Sequence, residues 1–507
     1  MEYERRKGAL ALRLRRIGID TYQQPVIYMR RDSHVCRSEG FEALSRVQVA
    51  HKGHTMIATL NIVNTDLLTP GEAALSEPAW RLLDAKEGDW IDLSHPPPLE
   101  SLRHVRAKVY GKRLDEEAMK EIIQDVVAGR YSDVHLASFI TASAGDRLDA
   151  SEMAALTRAM IEAGERLHWS RIPVMDKHSV GGLPGNRTTL LIVPIVSAFG
   201  LTMPKTSSRA ITSPAGTADT METLAPVALD IPSMRRVVDQ EGGCIVWGGS
   251  VRLSPADDVL IRVERPLELD SNGQIVASIL SKKAAAGSTH VVIDMPIGET
   301  AKVRSIEAAR NLRGRLEEVG RAVGLNIRAV FTDGSQPVGC GIGPALEARD
   351  ALAVLRCEAT APPNLRERAL ILAGAVLELS SRVPPGEGYS AARAILDDGR
   401  AWRKFQAICK AQGGMREPRS AGFTWTVEAE RSGKVVRIDN RRLARVAKLS
   451  GAPQASAAGV YLHAFLGARV EKGQPLFTIH AESPGEMAYA LAYVEGQKEI
   501  LRIEEGR

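Results

Sequence analysis

The chain has 507 residues, 66 of them basic and 61 acidic; at ~150 residues per domain this predicts three or four domains and a sizeable core. A net charge of +5 is too slight at this length to mark a nucleic-acid binder, and 44% hydrophobic with 25% charged residues excludes disorder as the dominant state. The cysteines Cys36, Cys244, Cys340, Cys357 and Cys409 are scattered and odd in number, which argues against a disulfide framework or a zinc site and for a cytoplasmic setting. No run reaches the ~18 apolar residues of a membrane span, and the first residues lack an export signal, so no membrane partner is expected.

Residues 1–100 alternate short apolar runs with turn signals, as from Gln48 to Leu60, and predict a β-rich domain. Over 101–171 the period changes to that of helices. Asp115 is placed to cap one carrying Met119, Ile122, Ile123 and Val126; Asp149 and Glu152 have capping-box spacing ahead of Met153, Leu156 and Met160. From 172 to 420, strand-like runs (290–294) alternate with helical ones (305–319), the signature of a mainly parallel sheet covered by helices. Residues 412–422 read as a polar linker, after which short strands resume over 423–507. The expected fold is multidomain α/β: a helical domain, joined in space by residues 261–285, and a mainly parallel α/β domain, with small β-containing N- and C-terminal domains.

The chemistry concentrates in two segments. The first is Asp176-Lys-His-Ser-Val-Gly-Gly-Leu-Pro-Gly-Asn-Arg, ahead of the apolar run 190–196. Gly181, Gly182 and Gly185 allow the backbone to approach an anion closely, while Lys177, Ser179 and Thr188 add a charge and hydroxyls. Alone, such glycines equally describe a tight turn beside a solvated lysine. The second segment is Lys205-Thr-Ser-Ser-Arg-Ala-Ile-Thr-Ser-Pro-Ala-Gly-Thr, where Thr217 is placed to cap the next helix. Together they make two anion-ready loops. Neither has the Gly-Lys-Ser/Thr ending of a nucleotide P-loop, so inorganic phosphate as a reactant fits better than ATP.

With these loops, and with Gly111-Lys-Arg-Leu-Asp-Glu-Glu, Leu156-Thr-Arg-Ala-Met, Ala277-Ser-Ile-Leu-Ser-Lys-Lys, Gln336-Pro-Val-Gly and Gly473-Gln-Pro-Leu-Phe, the chain resembles the thymidine and pyrimidine nucleoside phosphorylase family. The resemblance covers nearly the whole chain and points to its longer branch, which includes archaeal AMP phosphorylase and bacterial proteins named putative thymidine phosphorylase and carries an additional N-terminal domain. It implies that Lys177, Ser179, Gly181, Gly182, Thr188, Ser207 and Thr217 form the phosphate shell. Gly182, Ser208, Arg209, Ala210, Ile211, Thr212, Ser213 and Thr217, with Ser278, Lys282 and Lys302, would contact the substrate. Asp270 corresponds to that branch's proton donor.

Asp270-Ser-Asn-Gly is also a strong turn sequence. His178 is a second acid candidate, or a residue that orients the loop. Lys282 and Lys283 read by position as solvated helix residues, while the resemblance implies that Lys282 faces the base; Arg209 either balances ligand charge or pairs with an acid. Gly339-Cys-Gly-Ile-Gly343 reads as a structural turn, with no NAD site, and 467–476 resembles a lipoyl-type β-hairpin without its attachment lysine.

The reaction implied is a pentosyl transfer by phosphorolysis, without metal or organic cofactor, phosphate being a co-substrate. A nucleoside 5′-monophosphate cleaved to free base and ribose 1,5-bisphosphate comes first in this reading. Thymidine cleavage is the alternative; an anthranilate-type phosphoribosyltransferase and a silent nucleotide sensor rank below both. A homodimer or larger homo-oligomer is expected.

Overall fold

The computed structural model describes residues 11–505 except Ile211, Thr212, Arg252, Glu268, Asp270 and Lys498, with the Arg265 side chain also outside the description. Two compact units emerge, one comprising the described residues up to Leu148 with Ala256–Ser271, the other Asp149–Pro255 with Asn272 onward.

In the first unit, β1 (Ala11–Leu14), β2 (Val26–Arg30), β3 (Arg46–His51), β4 (His54–Val63), β5 (Glu72–Leu75) and β6 (Trp90–Ser94) close into a barrel in the order β1-β5-β2-β4-β3-β6. Alternation builds it: along β3, Val47, Val49 and His51 are buried while Arg46, Gln48 and Ala50 are less so, as a strand with one face on a core requires. The helices Leu102–Val109, Glu116–Val127 and Asp133–Ala142 follow. Asp115 caps the second by accepting from the Ala118 N–H at 2.9 Å, and Met119, Ile122, Ile123 and Val126 are buried along its inner face.

The second unit opens with the helix Ala150–Glu162, whose capping box is complete: Asp149 accepts from the Glu152 N–H at 3.0 Å, and Glu152 from the Asp149 N–H at 3.1 Å. Its parallel strands are β7 (Met175–Ser179), β8 (Met203–Ser207), β9 (Gly243–Trp247), β10 (His290–Ile297) and β11 (Asn326–Asp333). They pair as β11-β10-β7 and β8-β9, and a parallel bridge between Val174 and Thr202 joins the two sets. The apolar run read from the sequence becomes the buried helix Thr189–Ala198, which shares one core with the helix Pro363–Leu379.

The C-terminal sheets are β12 (Gly341–Ile342), β15 (Gly459–Leu462), β17 (Pro475–Ala481) and β13 (Phe423–Glu428) in the order β12-β15-β17-β13, and β16 (Arg469–Val470), β14 (Gly433–Ile438) and β18 (Leu501–Glu504) in the order β16-β14-β18. Three local readings change here. Gly341 and Ile342, expected in a turn, form a strand pairing with β15, because Asp350 takes the Cys340 and Gly341 N–H groups at 2.6 and 2.7 Å and holds the segment extended. Residues 467–476 are not a lipoyl-type hairpin: β16 and β17 belong to different sheets. Gln412, expected in a solvated linker, is buried.

Its amide runs along β9 like a short extra strand. Gln412 Oε1 accepts from the Ile245 N–H at 2.8 Å, and Nε2 donates to the Pro226 and Ile245 carbonyls at 2.8 and 3.0 Å. Gln412→Leu strands one donor and two acceptors, each buried unpaired group costing about 1–3 kcal/mol. The expected outcome is a lowered midpoint of thermal unfolding; an unchanged midpoint would contradict this role for the amide.

Candidate active site

Strand β7 carries Asp176, Lys177, His178 and Ser179 to its C-terminal end, the edge at which parallel α/β sheets present ligand sites. Asp176 is fully buried. It accepts from Lys205 Nζ at 3.0 Å, Lys283 Nζ at 2.8 Å and the Ser288 hydroxyl at 3.3 Å. Burial alone would raise its pKa, but the two ammonium groups prevail and hold it below the ordinary value. Burial in turn pulls Lys283 down against the attraction of Asp176.

A second fully buried carboxylate, Asp294, stands beside Ser179 on the neighbouring strand β10. Asp294 accepts from Ser179 Oγ at 3.0 Å, Asn186 Nδ2 at 2.8 Å and Thr332 Oγ1 at 2.6 Å. Lys177 Nζ lies 3.8 Å from it and donates to Thr188 Oγ1 at 2.9 Å. Burial lowers the Lys177 pKa to about 8, with Asp294 opposing the shift and Arg368 and Arg187 adding to it. Arg368 is buried, and its Nη1 has no hydrogen-bond partner among the described residues.

Glycine geometry shapes the first loop. Gly182 has φ +83°, and a Cβ there would sit 2.5 Å from the Lys302 backbone nitrogen, so only glycine permits both the left-handed turn and the close packing. That approach seats Lys302, an exposed side chain, beside the loop. The second loop is gathered by Asp219, which accepts from the Ala210 N–H at 2.6 Å, the Gly216 N–H at 2.9 Å and Arg209 Nη1 at 3.1 Å. Thr217 is not the helix cap; Gly216 occupies that position and Thr217 begins the helix Thr217–Glu222. A Cβ at 216 would lie 2.5 Å from the Arg209 carbonyl carbon and 2.6 Å from the Ala210 nitrogen, so the loop folds too tightly on itself for a side chain there.

The remaining residues divide. Ser207 ends β8 with its hydroxyl buried and without a partner among the described residues. Arg209 pairs with acids: Glu222 accepts at 2.5 and 2.9 Å, and the guanidinium lies over the Trp247 ring at 4.9 Å. Ser208 is exposed, and Ser213 Oγ is spent on the Ala215 carbonyl at 2.8 Å. Ser278 and Lys282 sit one turn apart on the helix Asn272–Ala285, 3.4 Å between Oγ and Nζ. Ile211, Thr212 and Asp270 lie outside the described residues. A cleft of about 760 Å³ includes Arg209 and Ala210 but none of Lys177, Thr188 or Ser207. Its three arginines are balanced by Asp219, Glu222 and Glu417, so it does not duplicate the anion seat.

His178 is partly buried, and its pKa is pushed well below 6.5, first by desolvation and then by Lys283, Lys205, Lys282 and Lys177. The imidazole is therefore neutral near pH 7. Asp294, Arg368 and Lys283 carry much of this electrostatics and escaped assignment to the site from sequence. Asp294 hid in an apolar strand run, and Arg368 in a long helix whose inward face only the tertiary structure reveals.

Residues 103–164 match the family described as glycosyl transferase family, helical bundle domain, residues 171–402 its a/b domain, and residues 434–500 the pyrimidine nucleoside phosphorylase C-terminal domain. A protein of Polaromonas sp. named "Putative thymidine phosphorylase" is 66% identical over 492 residues, covering 97% of this chain and 96% of the relative. Proteins carrying that name in Acidovorax sp. (there numbered 2) and Legionella pneumophila strain Paris are 64% and 61% identical, each over 97% of this chain and 96% of the relative. The chain belongs to the thymidine and pyrimidine nucleoside phosphorylase family. It is an enzyme that transfers a pentosyl group. The crystal structure of an anthranilate phosphoribosyltransferase from Thermus thermophilus superposes with a TM-score of 0.51 at 21% identity, over 61% of this chain and 98% of that one; this likeness concerns the fold alone.

Because Lys177 titrates near 8, it is a cation below that pH and neutral above it, so phosphate affinity is expected to fall as pH rises through about 8. In phosphate titrations across pH, Lys177→Met should bind weakly throughout and lose this alkaline decline. A decline that persists in the variant would assign it to another group.

Proposed function

We propose that the protein catalyses phosphorolysis of a pyrimidine nucleoside, with thymidine and phosphate giving thymine and 2-deoxyribose 1-phosphate. The observation that carries this reading is the buried cationic seat: Lys177 on Thr188, with Arg368 Nη1 and the Ser207 hydroxyl both lacking a hydrogen-bond partner among the described residues. The names of the full-length relatives supply the choice of nucleoside. They favour thymidine over the nucleoside 5′-monophosphate that the sequence reading put first.

In this reaction a phosphate oxygen forms a bond to the anomeric carbon while the bond from that carbon to the base nitrogen breaks, the electron pair leaving with the base. The sugar passes through a cationic, oxocarbenium-like state. A phosphate dianion stabilises that cation from one side, while cationic and hydroxyl donors stabilise the negative charge that develops on the departing base. Lys177, Ser179, Thr188, Ser207 and Thr217 hold the phosphate, with Gly181 and Gly182 giving it close access to the backbone. Ser278 and Lys282 hold the base. Neutral His178 serves as a hydrogen-bond partner rather than as a store for a proton. No metal or organic cofactor enters the proposal. A homo-oligomer in the cytoplasm completes it.

The second reading, a nucleoside 5′-monophosphate, is favoured by exposed Ser208 and Lys302 beside the loops. Incubation with phosphate and thymidine, uridine, AMP, CMP or UMP, followed by chromatography of the released bases, tests both. Phosphate-dependent release of thymine is expected. Release from monophosphates alone would overturn the nucleoside reading and establish the second.

A further inference from the structure

Arg187 lies between the glycine loop and the helix Thr189–Ala198, and its guanidinium is engaged along the whole fork. Nε donates to Glu347 Oε2, Nη2 donates to the Ala215 carbonyl, and Nη1 reaches the Asn186 carbonyl at 3.4 Å. Glu347, on the helix Pro344–Leu355, is only 1% exposed. It accepts in addition from the Thr220 hydroxyl at 2.9 Å and the Gly343 N–H at 3.3 Å. One planar cation thus ties the end of the first anion loop to the end of the second, and through Glu347 and Thr220 to the helix that the second loop starts.

A buried Arg–Glu pair is a poor device for stability, since the desolvation of both charges offsets their attraction and an apolar pair of similar volume often does as well. It is a good device for registry, because guanidinium donors have fixed mutual directions. The two acceptors here sit on separate segments: the Ala215 carbonyl two residues before Thr217, and Glu347 on another helix. Each of the three guanidinium nitrogens of Arg187 has an acceptor within the fold, so the group supports the seat from behind rather than completing it.

We propose that Arg187, held by Glu347, is a positioning residue that sets the spacing of the two loops, so that Lys177 and Thr188 on one and Ser207 and Thr217 on the other converge on a single phosphate. The inference rests on the phosphorolytic reading for the identity of the anion. It adds a determinant of affinity that neither touches phosphate nor belongs to the residues assigned to it above.

The test is calorimetric titration of the full chain with inorganic phosphate, which needs no nucleoside; base release from thymidine, measured in parallel, judges the reaction separately. Arg187→Lys keeps the charge but loses the planar fork whose fixed directions serve Glu347 and the Ala215 carbonyl together. It is expected to retain the wild-type circular dichroism spectrum and to bind phosphate about tenfold more weakly, equivalent to about 1.4 kcal/mol. Arg187→Ala should lose more, and millimolar guanidinium chloride should restore its phosphate affinity while leaving Lys177→Met unrestored. Wild-type phosphate affinity in Arg187→Lys overturns the proposal, as does a folded Arg187→Ala that guanidinium does not restore. Should Arg187→Ala fail to fold, Arg187→Lys alone decides.

Discussion

Two carboxylates without solvent exposure, Asp176 and Asp294 on adjacent parallel strands, are the condition for everything else at this site. A buried lysine sheds its proton unless an anion faces it, and three lysines of the site, Lys177, Lys205 and Lys283, are buried. Asp176 holds two of them directly. Asp294 faces Lys177 and influences Arg368 while fixing Ser179, Asn186 and Thr332 by hydrogen bonds. Removing either carboxylate would leave cations buried without compensation, a loss of about 3–5 kcal/mol in comparable pairs. Each carboxylate faces two cations, and burial draws Lys283 down to about 7 and Lys177 to about 8, so an anion seated among them favours their charged forms.

That arrangement explains why so much of the site was legible in the chain and why its centre was not. Helix starts are local: Asp115, Asp149 with Glu152, and Ser305 each cap within three residues, so their geometry follows from spacing alone. Glycine loops are local too, and Gly181, Gly182 and Gly185 all adopt positive φ. Charge compensation is not local. Asp294 is 117 positions beyond Lys177, in a run that reads simply as a buried strand, and Glu347 is 160 beyond Arg187. Periodicity assigns these residues to a strand or a helix; only strand order and helix packing bring them together.

The local rules failed where a tertiary contact replaced a local one. Thr217 has the chemistry of a cap, yet the cap is Gly216, because Asp219 draws the loop so tightly that no side chain fits. Gln412 stands among linker residues, yet its amide completes the edge of β9. Arg209, open between ligand and acid in the sequence, is held by Asp219 and Glu222. In each case a polar side chain answers an unpaired group elsewhere in the fold, a demand that composition does not reveal.

The same positive field bears on which base can leave. Desolvation first, and that field second, keep His178 neutral, so the imidazole brings no spare proton to the reaction. A departing pyrimidine such as thymine spreads its negative charge onto carbonyl oxygens, which cationic and hydroxyl donors of the Lys282 and Ser278 type stabilise by hydrogen bonding, without full proton transfer. Adenine has no such oxygens. Its departure calls for a proton on a ring nitrogen, and therefore for a true acid. Base preference and the need for Asp270 are thus one question: replacing Asp270 by Asn should leave thymidine cleavage largely intact while abolishing cleavage of AMP, and steady-state rates of the variant on the two substrates would read the difference directly.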